Sequence, residues 1–112
     1  VAVEPEESAV LSGRSSGSHK IEGTGVGFVV PLWSEKLANE IQMVSTEEAM
    51  TTARRLAREE GIFAGTSTGG NVAVALRIAE RLGADKTVVT VAVDSGIKYL
   101  STALYKSEAR HS

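Results

Sequence analysis

The chain has 112 residues, 42% of them hydrophobic and 23% charged, which suits one compact domain and is too apolar for a disordered tail. Twelve basic against fourteen acidic side chains leave a formal charge of −2, which excludes a basic nucleic-acid footprint and a patch for anionic membranes and points to small molecules or protein as partners. Without cysteine there is neither a disulfide framework nor a thiolate zinc site, in keeping with a cytoplasmic location, and no apolar run approaches the roughly 18–20 residues of a membrane helix.

Val1-Ala2-Val3-Glu4-Pro5 reads as a strand stopped by proline, and a chain that opens inside a strand is expected to be a segment of something longer. Residues 6–11 are expected to form a short helix, followed by a Ser/Gly-rich surface loop over 12–18. Gly23-Thr24-Gly25-Val26-Gly27-Phe28 is glycine-rich but follows no strand, so it lacks the context of a dinucleotide fingerprint. Residues 41–44 predict a strand that feeds a helix over 46–60, with Ser45 as its cap and Glu48 placed to bond back as a capping box. Ala49, Ala53, Leu56 and Ala57 share one face of that helix, and Arg54, Arg55 and Arg58 crowd the solvated one.

Gly61 ends the helix, residues 62–64 read as a short buried strand, and the turn Gly65-Thr66-Ser67-Thr68-Gly69-Gly70 leads into a second helix over 71–82. Apolar residues nearly encircle this helix, so it is expected to be buried on more than one side. The β-branched run 87–93 predicts a strand covered on both faces, ending at Asp94-Ser95-Gly96 before a last helix through Lys98 to Leu104. The alternation implies an α/β fold with a mainly parallel sheet, flanking helices and right-handed crossovers, and any ligand beyond the C-terminal strand ends. Two polar turns occupy that edge.

The turn at 65–70 offers hydroxyls and free N–H groups at a helix N-terminus, suited either to a ligand or simply to a tight strand-to-helix connection. Asp94 reads as a base, a ligand partner or the cap of the last helix, and Ser95 shares the ambiguity. His19 and His111 lack partners at metal spacing, so no metal site is expected.

Three blocks carry a resemblance: His19-Lys20-Ile21-Glu22-Gly23-Thr24-Gly25-Val26-Gly27-Phe28, Ala64-Gly65-Thr66-Ser67-Thr68-Gly69-Gly70, and Val93-Asp94-Ser95-Gly96-Ile97-Lys98-Tyr99-Leu100-Ser101-Thr102. In order and spacing, from Val1 to Tyr105, they resemble the C-terminal part of cysteine synthase, also called O-acetylserine sulfhydrylase. The resemblance implies fold type II of the pyridoxal-phosphate enzymes, with residues 1–112 as one partial α/β domain of a longer two-domain enzyme. It implies the cofactor pyridoxal 5'-phosphate, β-replacement of O-acetylserine by sulfide, a homodimer in full-length form, and serine acetyltransferase as a partner. Ser67 then matches the hydroxyl that meets the cofactor's pyridine nitrogen, and Asp94 and Ser95 match a supporting turn near the ring. Gly23, Gly25 and Gly27 match a segment lining the substrate cleft.

The family's Schiff-base lysine, its substrate-carboxylate loop and its phosphate cradle all fall N-terminal to Val1, so no catalytic residue is assigned here and the chain alone is expected to be inactive. Lys20 and Lys98 match other family positions. Thr68, Gly70 and Val93 depart from the commoner Ser, Ala and Pro. Two other readings stand beside this one: a cystathionine β-synthase core, from which Gly27 leans away, and a non-catalytic remnant or interaction domain, which the missing lysine favours.

Overall fold

The computed structural model describes residues 1–13, 15–21, 27, 29 and 31–106. Strand β1 (Ala2–Pro5) pairs in parallel with β2 (Ile41–Val44), in a register that sets Ala2 against Ile41 and Pro5 against Val44. From β2 the chain enters α1 (Thr46–Arg55), which continues as a π-helical turn over Leu56–Glu60 and stops at Gly61, where φ of 69° turns the backbone left-handed. Helix α2 (Thr66–Leu82) follows, and after a 3₁₀ turn at Gly96–Tyr99 comes the short α3 (Ala103–Lys106).

The start of α1 forms as its sequence predicts, because Ser45 is extended and its hydroxyl accepts from the Glu48 N–H at 3.0 Å. The reciprocal half of the capping box is absent. The Glu48 carboxylate instead accepts from Arg77 Nη2 at 2.5 Å, while Arg77 Nη1 donates to the Met43 carbonyl at 2.7 Å. A guanidinium from α2 offers a charged donor where the Ser45 N–H offers a neutral one, so the tertiary partner wins. One arginine thereby ties β2, α1 and α2 together.

Ala49 and Ala53 of α1 are fully buried against α2. The helices approach so closely that a Cβ on Gly69 would stand 2.0 Å from the Ala49 carbonyl oxygen. Ile21, Val44, Ala49, Ala73, Val74 and Ile78 form the main core, with Val3 and Val88 packed on it. A second cluster joins Ala53, Tyr99 and Leu104. At the end of β1, Glu4 is buried with its charge satisfied, since its carboxylate accepts from Leu11 N at 2.8 Å and Ser12 Oγ at 2.5 Å.

Several expectations are corrected. Residues 6–12 form two 3₁₀ turns, Glu6–Ser8 and Val10–Ser12, rather than one helix. Helix α2 begins at Thr66, so the polar turn expected before the helix is its first turn, and all of residues 66–70 are buried. Its far side is open, with Leu76 53% exposed, where burial on more than one side was expected. Residues 62–64 form no strand; Ala64 alone makes an antiparallel bridge, with Ser95, while Ile62 and Phe63 are exposed. Residues 87–93 also form no strand among the described residues, and Val89 is 86% exposed. A β-branched run favours extended backbone, but a strand needs a neighbouring ladder, and here one edge meets side chains of α2 instead.

Candidate functional site

Helix α2 is preceded by Gly65, extended at φ −98° and ψ −172°, which has no side chain to cap the first turn. The cap comes from Asp94. Its Oδ1 accepts from Gly65 N at 3.1 Å, Thr68 N at 3.2 Å and Thr68 Oγ1 at 2.5 Å, and its Oδ2 accepts from Ser67 N at 3.3 Å and Tyr99 Oη at 3.0 Å. Thr68 Oγ1 in turn accepts from Val93 N at 3.1 Å. A carboxylate at a helix N-terminus also meets the positive end of the helix dipole. Only glycine fits at 65, because a Cβ there would lie 2.2 Å from the Tyr99 ring and 2.4 Å from Asp94 Oδ2.

Burial pushes the Asp94 carboxyl up, but the hydrogen bonds from Thr68, Tyr99 and Gly65 outweigh it and hold the group below the usual carboxylate value. Tyr105 shifts the other way: burial and then the Asp94 charge push its phenol up. Its hydroxyl donates to the Ala64 carbonyl, and its ring packs on Phe63 with centroids 4.9 Å apart. The Gly96 N–H donates to Phe63 O at 3.0 Å, so the two polar turns of the sequence lie side by side.

Beside them opens a cleft of about 390 Å³ lined by His19, Lys20, Met50, Thr66, Tyr99, Thr102, Ala103 and Leu104. It draws residues from all three sequence blocks. Arg54, expected on a solvated helix face, braces its wall by donating from Nε to Leu104 O at 2.6 Å and from Nη2 to Ala103 O at 2.9 Å.

Ser67 and Asp94 are therefore brought together, with Ser67 only 7% exposed in the first turn of α2. Ser95 is exposed and caps the following 3₁₀ turn by accepting from Ile97 N at 3.3 Å, a cap role the sequence had left open to both Asp94 and Ser95. Gly27 is exposed at φ 92°. Gly23, Gly25 and His111 lie outside the described residues. The expectation of free N–H groups at the turn is corrected, since Asp94 occupies those of Gly65, Ser67 and Thr68. Sequence reasoning missed Thr68, Tyr99 and Arg54. Tyr99 was legible only as a residue five positions past Asp94, and nothing local marks Thr68 or Arg54. Among the described residues no cluster of His, Asp or Glu has the arrangement of a metal site, and none of their helices is long and apolar enough to cross a membrane.

Residues 1–94 match the family described as pyridoxal-phosphate dependent enzyme. A probable cysteine synthase of Bacillus subtilis is 48% identical over 103 residues, which is 92% of this chain and 33% of that protein. The crystal structure of a cysteine synthase from Entamoeba histolytica superposes with a TM-score of 0.90 at 40% identity, over 94% of this chain and 31% of that one. An O-acetylserine dependent cystathionine β-synthase from Helicobacter pylori superposes with a TM-score of 0.81 at 36% identity, covering 92% and 33%. The chain thus spans about a third of the length of the curated relatives it matches.

Proposed function

Because the chain belongs to the pyridoxal-phosphate dependent enzymes, with the α/β architecture of the C-terminal portion of their fold type II, we propose that it supplies one wall of a cysteine synthase active site. The reaction proposed is β-replacement of O-acetylserine by sulfide. The observation that carries the reading is the convergence of all three sequence blocks on one cleft, beside a turn whose geometry a distant carboxylate holds.

The residues present fit one end of pyridoxal phosphate and not the other. Asp94 already fills the N-terminus of α2, so the phosphate has no seat there, whereas Ser67, in the first turn of α2, would offer the pyridine nitrogen a neutral hydroxyl. When bound, the cofactor supplies the electron sink for chemistry at the substrate's α and β carbons. Ser67 would meet the ring without a full charge, which would leave its nitrogen less prone to gain a proton than beside a carboxylate. Asp94, with five donors directed at it, keeps the Ser67 backbone in place and lends its own charge to the helix end. Tyr99 serves both sides, as a donor to Asp94 and as part of the cleft lining.

On this reading the covalent lysine and the phosphate cradle come from outside these 112 residues, and the chain alone makes no cysteine. The test is a chimera in which this chain replaces the matching third of the Bacillus subtilis relative. The chimera should bind pyridoxal phosphate and form cysteine from O-acetylserine and sulfide, and Ser67→Ala should slow it roughly tenfold at unchanged melting temperature. A folded, cofactor-loaded chimera that forms no cysteine would refute the proposal. The likeness to the Helicobacter pylori enzyme favours a second reading, in which homocysteine replaces sulfide; faster product formation with homocysteine would select it.

A further inference from the structure

Tyr99, Thr102, Ala103 and Leu104 together form one wall of the cleft. The shape of this wall is set locally. Tyr99 O accepts from Thr102 N at 3.0 Å and from Thr102 Oγ1 at 2.7 Å, and Thr102 Oγ1 accepts from Leu104 N at 3.3 Å. One hydroxyl thus joins the end of the 3₁₀ turn to the start of α3. A helix of four residues has too few internal bonds to hold its own place, so neighbours must fix where it stands.

The contacts that do so differ in kind. Leu104 is 2% exposed and packs with Ala53 of α1, an apolar contact that brings the wall close but is not directional. Tyr105 Oη donates to the Ala64 carbonyl, a single bond that leaves rotation about it. Arg54 supplies two directed bonds from one rigid group, Nε to Leu104 O at 2.6 Å and Nη2 to Ala103 O at 2.9 Å. A planar guanidinium bonded at two points fixes orientation as well as distance, which an ammonium on a flexible stem does not. Met50, four residues earlier and on the same face of α1, lines the cleft itself. Helix α1 therefore contributes one surface of the cleft directly and sets the stance of another through Arg54.

The geometry points to Arg54 as a positioning residue for the amino-acid substrate, a role that rests on the cysteine synthase reading for the identity of that substrate. By fixing α3 against α1 it sets how far the 103–104 backbone stands from Met50, and with it the affinity of the cleft rather than the rate of the chemistry. Ser67 and Asp94 are tied to each other across the first turn of α2, so they keep their places when Arg54 is lost.

The test uses the chimera with the Bacillus subtilis relative. Arg54→Met keeps an aliphatic stem and removes both donors, and Arg54→Lys restores one. Calorimetric titration with L-serine, which carries the amino and carboxylate groups of O-acetylserine without the acetyl group, reads binding without formation of cysteine. Arg54→Met should weaken serine binding and raise KM for O-acetylserine about tenfold, with kcat per cofactor-loaded site within about twofold of the parent. Arg54→Lys should recover part of the loss. Melting temperature and cofactor absorbance, measured alongside, correct for any loss of folded protein. If Arg54→Met does not fold, Arg54→Lys carries the test, with the same split between KM and kcat at about threefold. A role in stability alone would reduce the amount of loaded protein and leave serine affinity and KM at parental values, which would overturn the inference. So would a loaded parent chimera that binds no serine. A chimera whose serine binding depends on Arg54 but which forms no cysteine would sink the cysteine synthase reading and support the role of Arg54.

Discussion

Replacing Asp94 tests the architecture of the site at its most connected residue. Asp94→Ala leaves the N–H groups of Gly65, Ser67 and Thr68 and the hydroxyls of Thr68 and Tyr99 without their acceptor. Loss of a helix cap costs about 0.5–2 kcal/mol, and hydrogen bonds to a charged group contribute about 1.5–3 kcal/mol each. Water reaches part of the site and recovers some of that loss, which places the net cost at about 3–5 kcal/mol. Against a total stability of about 5–15 kcal/mol this is severe, equivalent to a fall of roughly 10–20 °C in melting temperature. Asp94→Asn keeps the shape and one acceptor, so its cost should be about half.

The pH dependence gives a second readout. The folded Asp94 carboxyl titrates below its unfolded value of about 3.9, so its contribution is complete above that pH and is lost as acid carries the protein down through the folded value. Urea unfolding of parent and Asp94→Asn, followed by circular dichroism, should show a difference that is constant near neutrality and shrinks below about pH 4. If Asp94→Ala melts with the parent, or if the difference grows in acid, Asp94 does not hold the turn.

Two further predictions concern packing and charge. Gly69→Ala should leave little folded protein, measured by circular dichroism and soluble yield, because the added Cβ would meet Ala49 O at 2.0 Å and Ala53 N at 2.9 Å, both backbone atoms of α1. Glu40, hydrogen-bonded by Arg81 and then by Gln42, is held down at about 2, so its contribution should be full above about pH 4.5 and fade as pH falls toward 2. Carbon-detected NMR titration should find that low value and see it return to the ordinary carboxylate range in Arg81→Met; an unchanged titration in the variant would count against the pair.

The sequence by itself determined what depends on neighbours within about four residues. Ser45 caps α1 because a hydroxyl three residues before an N–H can reach it in any context, and β1 and β2 are extended where their apolar residues predict. The three blocks around Lys20, Ser67 and Asp94 were likewise visible as segments. Only the tertiary structure decided how those segments are used. The β-branched run at 87–93 favours extended backbone, but strand formation depends on which edge lies alongside, and Val91 and Val93 meet the α2 side chains of Asn71 and Thr68 instead. Asp94 looked like the cap of the helix that follows it, whereas it caps the helix before it, across separations of 26 to 29 residues. A carboxylate goes to the densest set of donors within reach, and which donors are within reach is settled by the packing of α1, α2 and the Tyr99 turn, a property no local pattern encodes.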